Sequence, residues 1–136
     1  MQLTKKASYG LIATVELARA PEGTSRSAVW IAERCDLPVA FIEKILHELK
    51  QAGLVASRQG RSGGYLLRIP PERVSVRRVL ESLGESLDLV DCLDGGTSCR
   101  LTGVCPTQGA WRTINDAFRG LLDRVSVADL RGGTSV

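Results

Sequence analysis

The chain has 136 residues, 43% of them hydrophobic, and carries a formal net charge of +3. This length suits one domain, and no apolar run approaches the length of a membrane span. The mildly basic charge balance permits a nucleic-acid partner. The chain has a single histidine and no nucleotide fingerprint or Ser/His/Asp set, which argues against an enzyme. We expect a cytoplasmic protein, because residues 1–6 lead into an amphipathic helix and not into an apolar signal segment.

The N-terminal part of the chain is predicted to form a helix-turn-helix. Apolar residues at helical spacing predict helices at residues 5–19 and 28–35, the second of them capped by Ser25 or Ser27. A third helix, at residues 39–52 and ended by Gly53, has two faces. Its apolar stripe is predicted to be buried and consists of Ile42, Ile45, Leu46 and Leu49. Its outward stripe, which we expect to contact DNA, consists of Ala40, Glu43, Lys44 and His47.

The segment that follows the third helix is predicted to form a β-hairpin. Two short strand-like runs, residues 54–58 and 65–69, flank a glycine-rich turn. A hairpin directly after a helix-turn-helix is typical of a wing. Glycine allows close backbone approach and arginine supplies charge, so we expect the tip to contact phosphates or the minor groove, although a plain structural turn is the alternative. The candidate DNA-contacting residues of the hairpin are Arg58, Gln59, Arg61, Ser62 and Gly63.

The C-terminal part is predicted to contain a short helix at residues 76–83 and a long one at residues 106–125. The long helix carries an apolar stripe whose members alternate steps of three and four residues, as in a coiled-coil seam. We therefore expect it to form a homodimer, with packing on the same chain as the alternative. The residues of this stripe are Trp111, Ile114, Phe118, Leu121 and Val125.

Three of the four cysteines, Cys92, Cys99 and Cys105, lie in one loop with the spacing C-x6-C-x5-C. Several thiolates in a flexible loop can hold a soft metal or an iron–sulfur cluster, whereas a structural zinc site usually shows paired C-x2-4-C arms. Redox-active or inert thiols are the alternatives. The remaining cysteine, Cys35, lies among apolar residues of the second helix, and we expect it to be a small buried core residue.

This order of motifs resembles the winged-helix iron–sulfur transcription regulators of the IscR and NsrR type. The cysteine loop matches, and so do the segments Met1-Gln2-Leu3-Thr4 with Tyr9, Gly53-Leu54-Val55, Gly63-Gly64-Tyr65-Leu66-Leu67, Trp111-Arg112 and Val127-Ala128-Asp129-Leu130. The resemblance implies a mainly α protein with a small β-hairpin. It divides the chain into a winged helix-turn-helix DNA-binding domain (residues 1–84), a cluster-binding cysteine loop (85–105) and a dimerisation helix with a C-terminal tail (106–136).

The function that the resemblance implies is that of a dimeric DNA-binding regulator whose cluster state sets its DNA affinity or site choice. Cys92, Cys99 and Cys105 would hold a 2Fe–2S or 4Fe–4S cluster. The fourth ligand stays open, since Gln108 stands where the iron–sulfur cluster regulator has a histidine and Ser8 stands where other members have a carboxylate. Glu43 takes the place of a residue that reads a base, and Gln59 stands where the wing usually has an arginine.

In the dimer, the third helix of each chain would lie in a major groove, and the two grooves would be successive and about 34 Å apart. We therefore expect a palindromic double-stranded DNA operator. A cluster-free winged-helix regulator that senses through thiols or a partner protein is the main alternative. An iron–sulfur electron carrier is a further one, but it does not explain the helix-turn-helix and the wing.

Overall fold

Residues 2–60, 63–93 and 104–132 are described by the computed structural model. Two β-strands, β1 (Val55–Arg58) and β2 (Gly64–Leu67), form an antiparallel hairpin in a mainly helical chain. Single 3-10 turns occur at Pro71–Arg73 and Asp91–Leu93. The α-helices are α1 (Lys5–Arg19), α2 (Ala28–Cys35), α3 (Val39–Gln51), α4 (Val76–Ser82), α5 (Gln108–Arg124) and α6 (Val127–Leu130).

The first helices begin at side-chain caps that the sequence supplies. The hydroxyl of Thr4 accepts a hydrogen bond from the Ala7 N–H, and that of Ser27 accepts one from the Trp30 N–H. Each cap satisfies a backbone donor that the first helical turn leaves unpaired. Of the two serines considered as the cap of α2, Ser27 is therefore the one used. Pro38 precedes α3 as its N-cap residue.

The main core lies between α1, α2 and α3. All four apolar residues of the predicted α3 stripe are 0% exposed, and they pack with Ala13 and Ile31. Burying this stripe removes apolar surface from water, which is the main force that docks α3 on α1 and α2. The prediction of a two-faced third helix is confirmed, because the same packing turns its polar stripe outward.

The hairpin is joined to the beginning of α2. Backbone hydrogen bonds connect the Arg26 N–H to the Tyr65 carbonyl at 2.8 Å and the Tyr65 N–H to the Arg26 carbonyl at 2.7 Å. Gly64 has φ +147°, and a Cβ at this position would lie 2.5 Å from the Arg26 carbonyl group. Only glycine permits this close approach. The structure confirms the predicted fold class, a mainly α protein with a small β-hairpin.

A second core cluster attaches the C-terminal helices to α1 and α4. Ala7, Val76, Leu80 and Leu87 are its buried members, and Phe118, Leu122 and Val125 pack against it. The Val76 N–H also donates to the Val125 carbonyl at 2.8 Å. Helix α5 is thereby held along part of its length. Across the three described stretches, no helix has both the length and the apolar character that crossing a membrane requires.

Candidate nucleic-acid interface and cysteine site

The outward stripe of α3 presents four side chains to solvent. Its members are Ala40, Glu43, Lys44 and His47, and each of them is exposed. They stand at positions i, i+3, i+4 and i+7, so they lie along one face, opposite the buried stripe. Farther along the helix, Lys50 Nζ donates to Ser57 Oγ at 2.8 Å and links α3 to β1. The sequence-predicted recognition residues thus form one exposed surface next to the hairpin.

At the hairpin, Arg58 has a structural contact that the sequence did not indicate. Its Nη1 atom donates to the Gly23 carbonyl at 2.8 Å, which ties the hairpin to the turn between α1 and α2. Gln59 is exposed, and the Gly63 N–H donates to the Gly60 carbonyl at 2.9 Å. The predicted contact residues Arg61 and Ser62 lie outside the described residues. Arg58 therefore supports the hairpin in addition to the role predicted for it at the interface.

A basic and aromatic group beside the hairpin was missed by the sequence reasoning. The Arg26 guanidinium lies 4.4 Å from the centre of the Trp30 ring, and that of Arg34 lies 5.3 Å from it. Arg26 Nε is buried without a hydrogen-bond partner in the part of the chain that the structure describes. The sequence signal that could have revealed this group is the spacing of four residues between Arg26, Trp30 and Arg34. The group places positive charge at the junction of α2 and the hairpin.

Cys35 packs against the main core but remains partly exposed. Burial raises the pKa of its thiol, and the nearby Glu16 carboxylate raises that pKa further. Glu16 is 6% exposed and pairs with Arg34 at 2.7 Å and with Arg19 at 2.8 Å. The prediction that Cys35 is buried is therefore right about its packing and too strong about its exposure. A thiol with a raised pKa is a poor nucleophile near neutral pH.

Cys105 lies in a different environment, just before α5. Its Sγ is 3.3 Å from the Thr107 hydroxyl oxygen, and the hydrogen bond from this hydroxyl is the largest cause of a lowered Cys105 pKa. Backbone hydrogen bonds from Thr107 and Gln108 act in the same direction. The thiolate is the form of cysteine that binds metals, and this environment favours the thiolate of Cys105.

The other predicted ligands belong only in part to the described residues. Cys92 is an unpaired, partly buried thiol in the turn Asp91–Leu93, whereas Cys99 lies outside the described residues. Gln108 is partly buried at the start of α5, and Ser8 is exposed on α1. Among residues 2–60, 63–93 and 104–132, no three His, Cys, Asp or Glu side chains come together as a metal-binding group. The three-cysteine ligand set therefore stays a prediction.

The predicted dimerisation stripe of α5 is divided by the structure. Trp111, Ile114 and Leu121 are 38%, 49% and 56% exposed, whereas Phe118 and Val125 pack partly against their own chain. Packing on the same chain, which the sequence left as the alternative, thus applies to these two residues. The exposed edge of the helix follows steps of four, three and four residues along Ala110, Ile114, Ala117 and Leu121. The sequence reasoning missed the two alanines, which belong to this exposed apolar strip.

Comparison with known proteins identifies the family. The model of the family described as "Rrf2: Iron-dependent Transcriptional regulator" matches residues 3–132. The transcriptional regulator IscR of Aliivibrio salmonicida is 34% identical over 131 residues, which cover 96% of this chain and 77% of that protein. IscR of Cronobacter sakazakii is 31% identical over 130 residues, covering 96% of this chain and 80% of the relative.

Solved structures agree with this assignment. CymR, the global cysteine regulator of B. subtilis, superposes with a TM-score of 0.83 at 26% identity, covering 99% of both chains. IscR of T. potens superposes with a TM-score of 0.76 at 25% identity, covering 99% of this chain and 89% of that one. The relatives are transcriptional regulators and not enzymes, as the sequence predicted. The resemblance seen in the motifs is confirmed, and the chain belongs to the Rrf2 family of DNA-binding, winged-helix transcriptional regulators.

Proposed function

We propose that this regulator acts as a homodimer that binds a palindromic operator and changes its DNA affinity or site choice with the state of an iron–sulfur cluster. The observation that carries the proposal is the position of Cys105. A cysteine with a stabilised thiolate directly precedes α5, the helix that also presents the exposed apolar strip. Ligand binding and dimer contact would therefore act on one rigid element.

The DNA contacts follow from the exposed surface of α3 and the hairpin. Glu43 is an exposed carboxylate that could accept a hydrogen bond from cytosine N4 in the major groove. Ala40 and His47 flank it on the same face and would contact neighbouring base edges. Phosphate contacts would position the protein without reading sequence, and we assign them to Lys44, Arg58, Gln59, Arg61, Ser62 and Gly63.

The dimer would form through α5. The steps between Ala110, Ile114, Ala117 and Leu121 are those of a coiled-coil seam, and the two alanines allow a second helix to approach closely. Trp111 extends the apolar area at the N-terminal end of the strip. Phe118 and Val125 would support the helix from its own chain while it pairs. Covering the half-exposed Ile114 and Leu121 provides the apolar burial for association.

The ligands proposed for the cluster are Cys92, Cys99 and Cys105, with Gln108 or Ser8 as the fourth. The donor chemistry fits, because thiolates are the usual ligands of iron–sulfur clusters and the Cys105 environment favours the thiolate. A bound cluster would supply an iron centre whose redox state and integrity respond to the surroundings. Cys92 and Cys105 border the loop on its two sides, so common ligation would tie residues 85–93 to the beginning of α5.

A second candidate is a cluster-free regulator that senses through its thiols or a partner protein. Gln108 at the position of the histidine ligand favours it. The chain is also similar to CymR of B. subtilis, which is named as a global cysteine regulator and not as an iron regulator. In this case Cys105, with its lowered pKa, would be the responsive thiol.

Anaerobic purification with absorption spectroscopy and iron and sulfide analysis separates the two candidates. The wild-type protein should show visible charge-transfer bands and bound iron, and Cys92→Ala should lose both and change its DNA affinity. Cys35→Ala is the matched control and should retain the cluster, since Cys35 packs on the core of the winged domain. A wild-type protein without iron or sulfide under strict exclusion of oxygen would overturn the cluster proposal in favour of the cluster-free regulator.

A further inference from the structure

Asn115 is the one polar residue of α5 whose burial is nearly complete in the described part of the chain, at 1% exposed. Its Oδ1 accepts a hydrogen bond from the Leu89 N–H at 2.6 Å. Its Nδ2 is buried without a hydrogen-bond partner in the same part of the chain. The Asn115 amide is therefore fixed by its acceptor side, and an apolar residue at this position would leave the Leu89 N–H without its hydrogen-bond acceptor.

Arg119 adds a second link one turn farther along α5. Its guanidinium forms an ion pair with Asp88, the residue before Leu89. Asn115 and Arg119 are four residues apart and therefore lie on the same side of the helix. Two successive residues of the segment that follows α4 are thus held by two successive turns of α5. We call this pair of links, Asn115 to Leu89 and Arg119 to Asp88, the α5 clamp.

The α5 clamp is connected to Cys92 through the segment that it holds, and to Cys105 through α5 itself. Leu89 is three residues before Cys92, and the Leu93 N–H closes the intervening turn on the Val90 carbonyl at 3.2 Å. Cys105 is three residues before Gln108, where α5 begins. Helix α5 thus begins just after Cys105 and, through the clamp, also holds the segment that leads to Cys92.

We propose that Asn115, assisted by Arg119, is a positioning residue that sets Cys92 relative to Cys105 for common ligation. This inference rests on the proposed function, because it assigns the clamp a role in holding the cysteine ligands. Helix α5 would act as the rigid frame of the ligand site. A change in ligation would be transmitted through Asn115 and Arg119 to the helix that carries the exposed strip of Ile114 and Leu121.

The first test measures amide hydrogen exchange of Leu89 in the cluster-free protein. Asn115→Leu keeps the number and branching of the side-chain heavy atoms and removes the acceptor, so exchange at Leu89 should become about tenfold faster, as expected for the loss of one hydrogen bond. Asn115→Asp retains an acceptor oxygen and should restore much of the protection. The matched control is Asp116→Asn on the exposed side of α5, which should leave exchange unchanged. Unchanged exchange in Asn115→Leu would overturn the inference.

The second test measures how fast an iron chelator removes the cluster from anaerobically reconstituted protein. Asn115→Leu and Arg119→Gln should lose it several-fold faster than the wild type, and Arg112→Gln, an exposed arginine on the same helix, should not. Leu122→Ala weakens the packing of α5 without touching the clamp and serves as the stability control.

The outcomes distinguish the inference from the proposed function. If Leu122→Ala and Asn115→Leu have the same Tm and lose the cluster to the chelator at the same rate, Asn115 has only a structural role and the inference is overturned. A loaded wild-type protein whose Asn115→Leu and Arg119→Gln variants release iron at the wild-type rate would overturn it as well. A wild-type protein that takes up no iron overturns the proposed function itself.

Discussion

Helices α3 and α5 carry apolar stripes of similar helical spacing, but the structure covers them to different extents. The α3 residues Ile42, Ile45, Leu46 and Leu49 are all 0% exposed, whereas Ile114 and Leu121 of α5 are 49% and 56% exposed. Helical periodicity indicates that one face favours burial, because removing apolar surface from water lowers the free energy in either helix. It contains no information about which surface covers that face. The difference between the two helices separates the domain core from a candidate subunit interface.

The largest effect is expected for truncation of the α3 stripe. Leu46→Ala should lower the free energy of unfolding by about 2–5 kcal/mol, since it leaves a cavity in a fully buried cluster. Denaturant unfolding measures the change. Lys44→Ala, on the exposed face of the same helix, is the control and should stay within about 0.5 kcal/mol of the wild type. Similar losses of unfolding free energy in the two variants would show that the two faces of α3 do not differ in burial.

The next largest effect is expected on the exposed strip of α5. Leu121→Glu should convert the proposed dimer to a monomer, because a carboxylate in an apolar interface loses its hydration without gaining a partner. Sedimentation velocity at matched protein concentrations measures the association state. Asp116→Lys changes charge on the opposite side of α5 and should remain dimeric. If Leu121→Glu sediments as a dimer like the control, this strip is not the subunit interface.

A smaller effect, confined to sequence preference, is expected on the polar face of α3. Glu43→Ala should relax preference at one base pair in each half-site by about 1–3 kcal/mol. Binding to an operator selected from random DNA, with each position then varied, measures this preference. Lys44→Ala is the comparison variant and should weaken binding to all sequences alike and reduce its salt dependence. A uniform loss in Glu43→Ala would make Glu43 a structural residue.

The smallest effect is expected for a glycine within α5. Gly120→Ala should raise the free energy of unfolding by about 0.5–1 kcal/mol, because a Cβ there meets nothing within 4 Å and alanine favours the helix. Thermal unfolding measures this gain. Gly10→Ala in α1 should instead destabilise the protein, since its Cβ would collide with the Leu83 side chain. A loss of stability in Gly120→Ala would show that this side of α5 is covered.

Most of the fold and part of the site could be predicted because they depend on neighbouring residues. The bounds of α1 and α2 match the prediction, and α3 ends one residue earlier than predicted. The polar stripe of α3 is exposed as expected, since the same 3.6-residue period places it opposite the core. The hydrogen bond from Arg58 to Gly23 was not predictable in this way, because it joins residues 35 positions apart.

The sequence by itself determined where α1 to α5 lie to within about two residues and which of their faces are apolar, because caps, helical period and turn residues act over a few positions. Tertiary structure decided that Phe118 packs on its own chain while Leu121 remains exposed. It also decided that Asn115 is buried against Leu89, a residue 26 positions away. Burial depends on which distant surfaces meet, and this is a property of the packed chain and not of any local pattern.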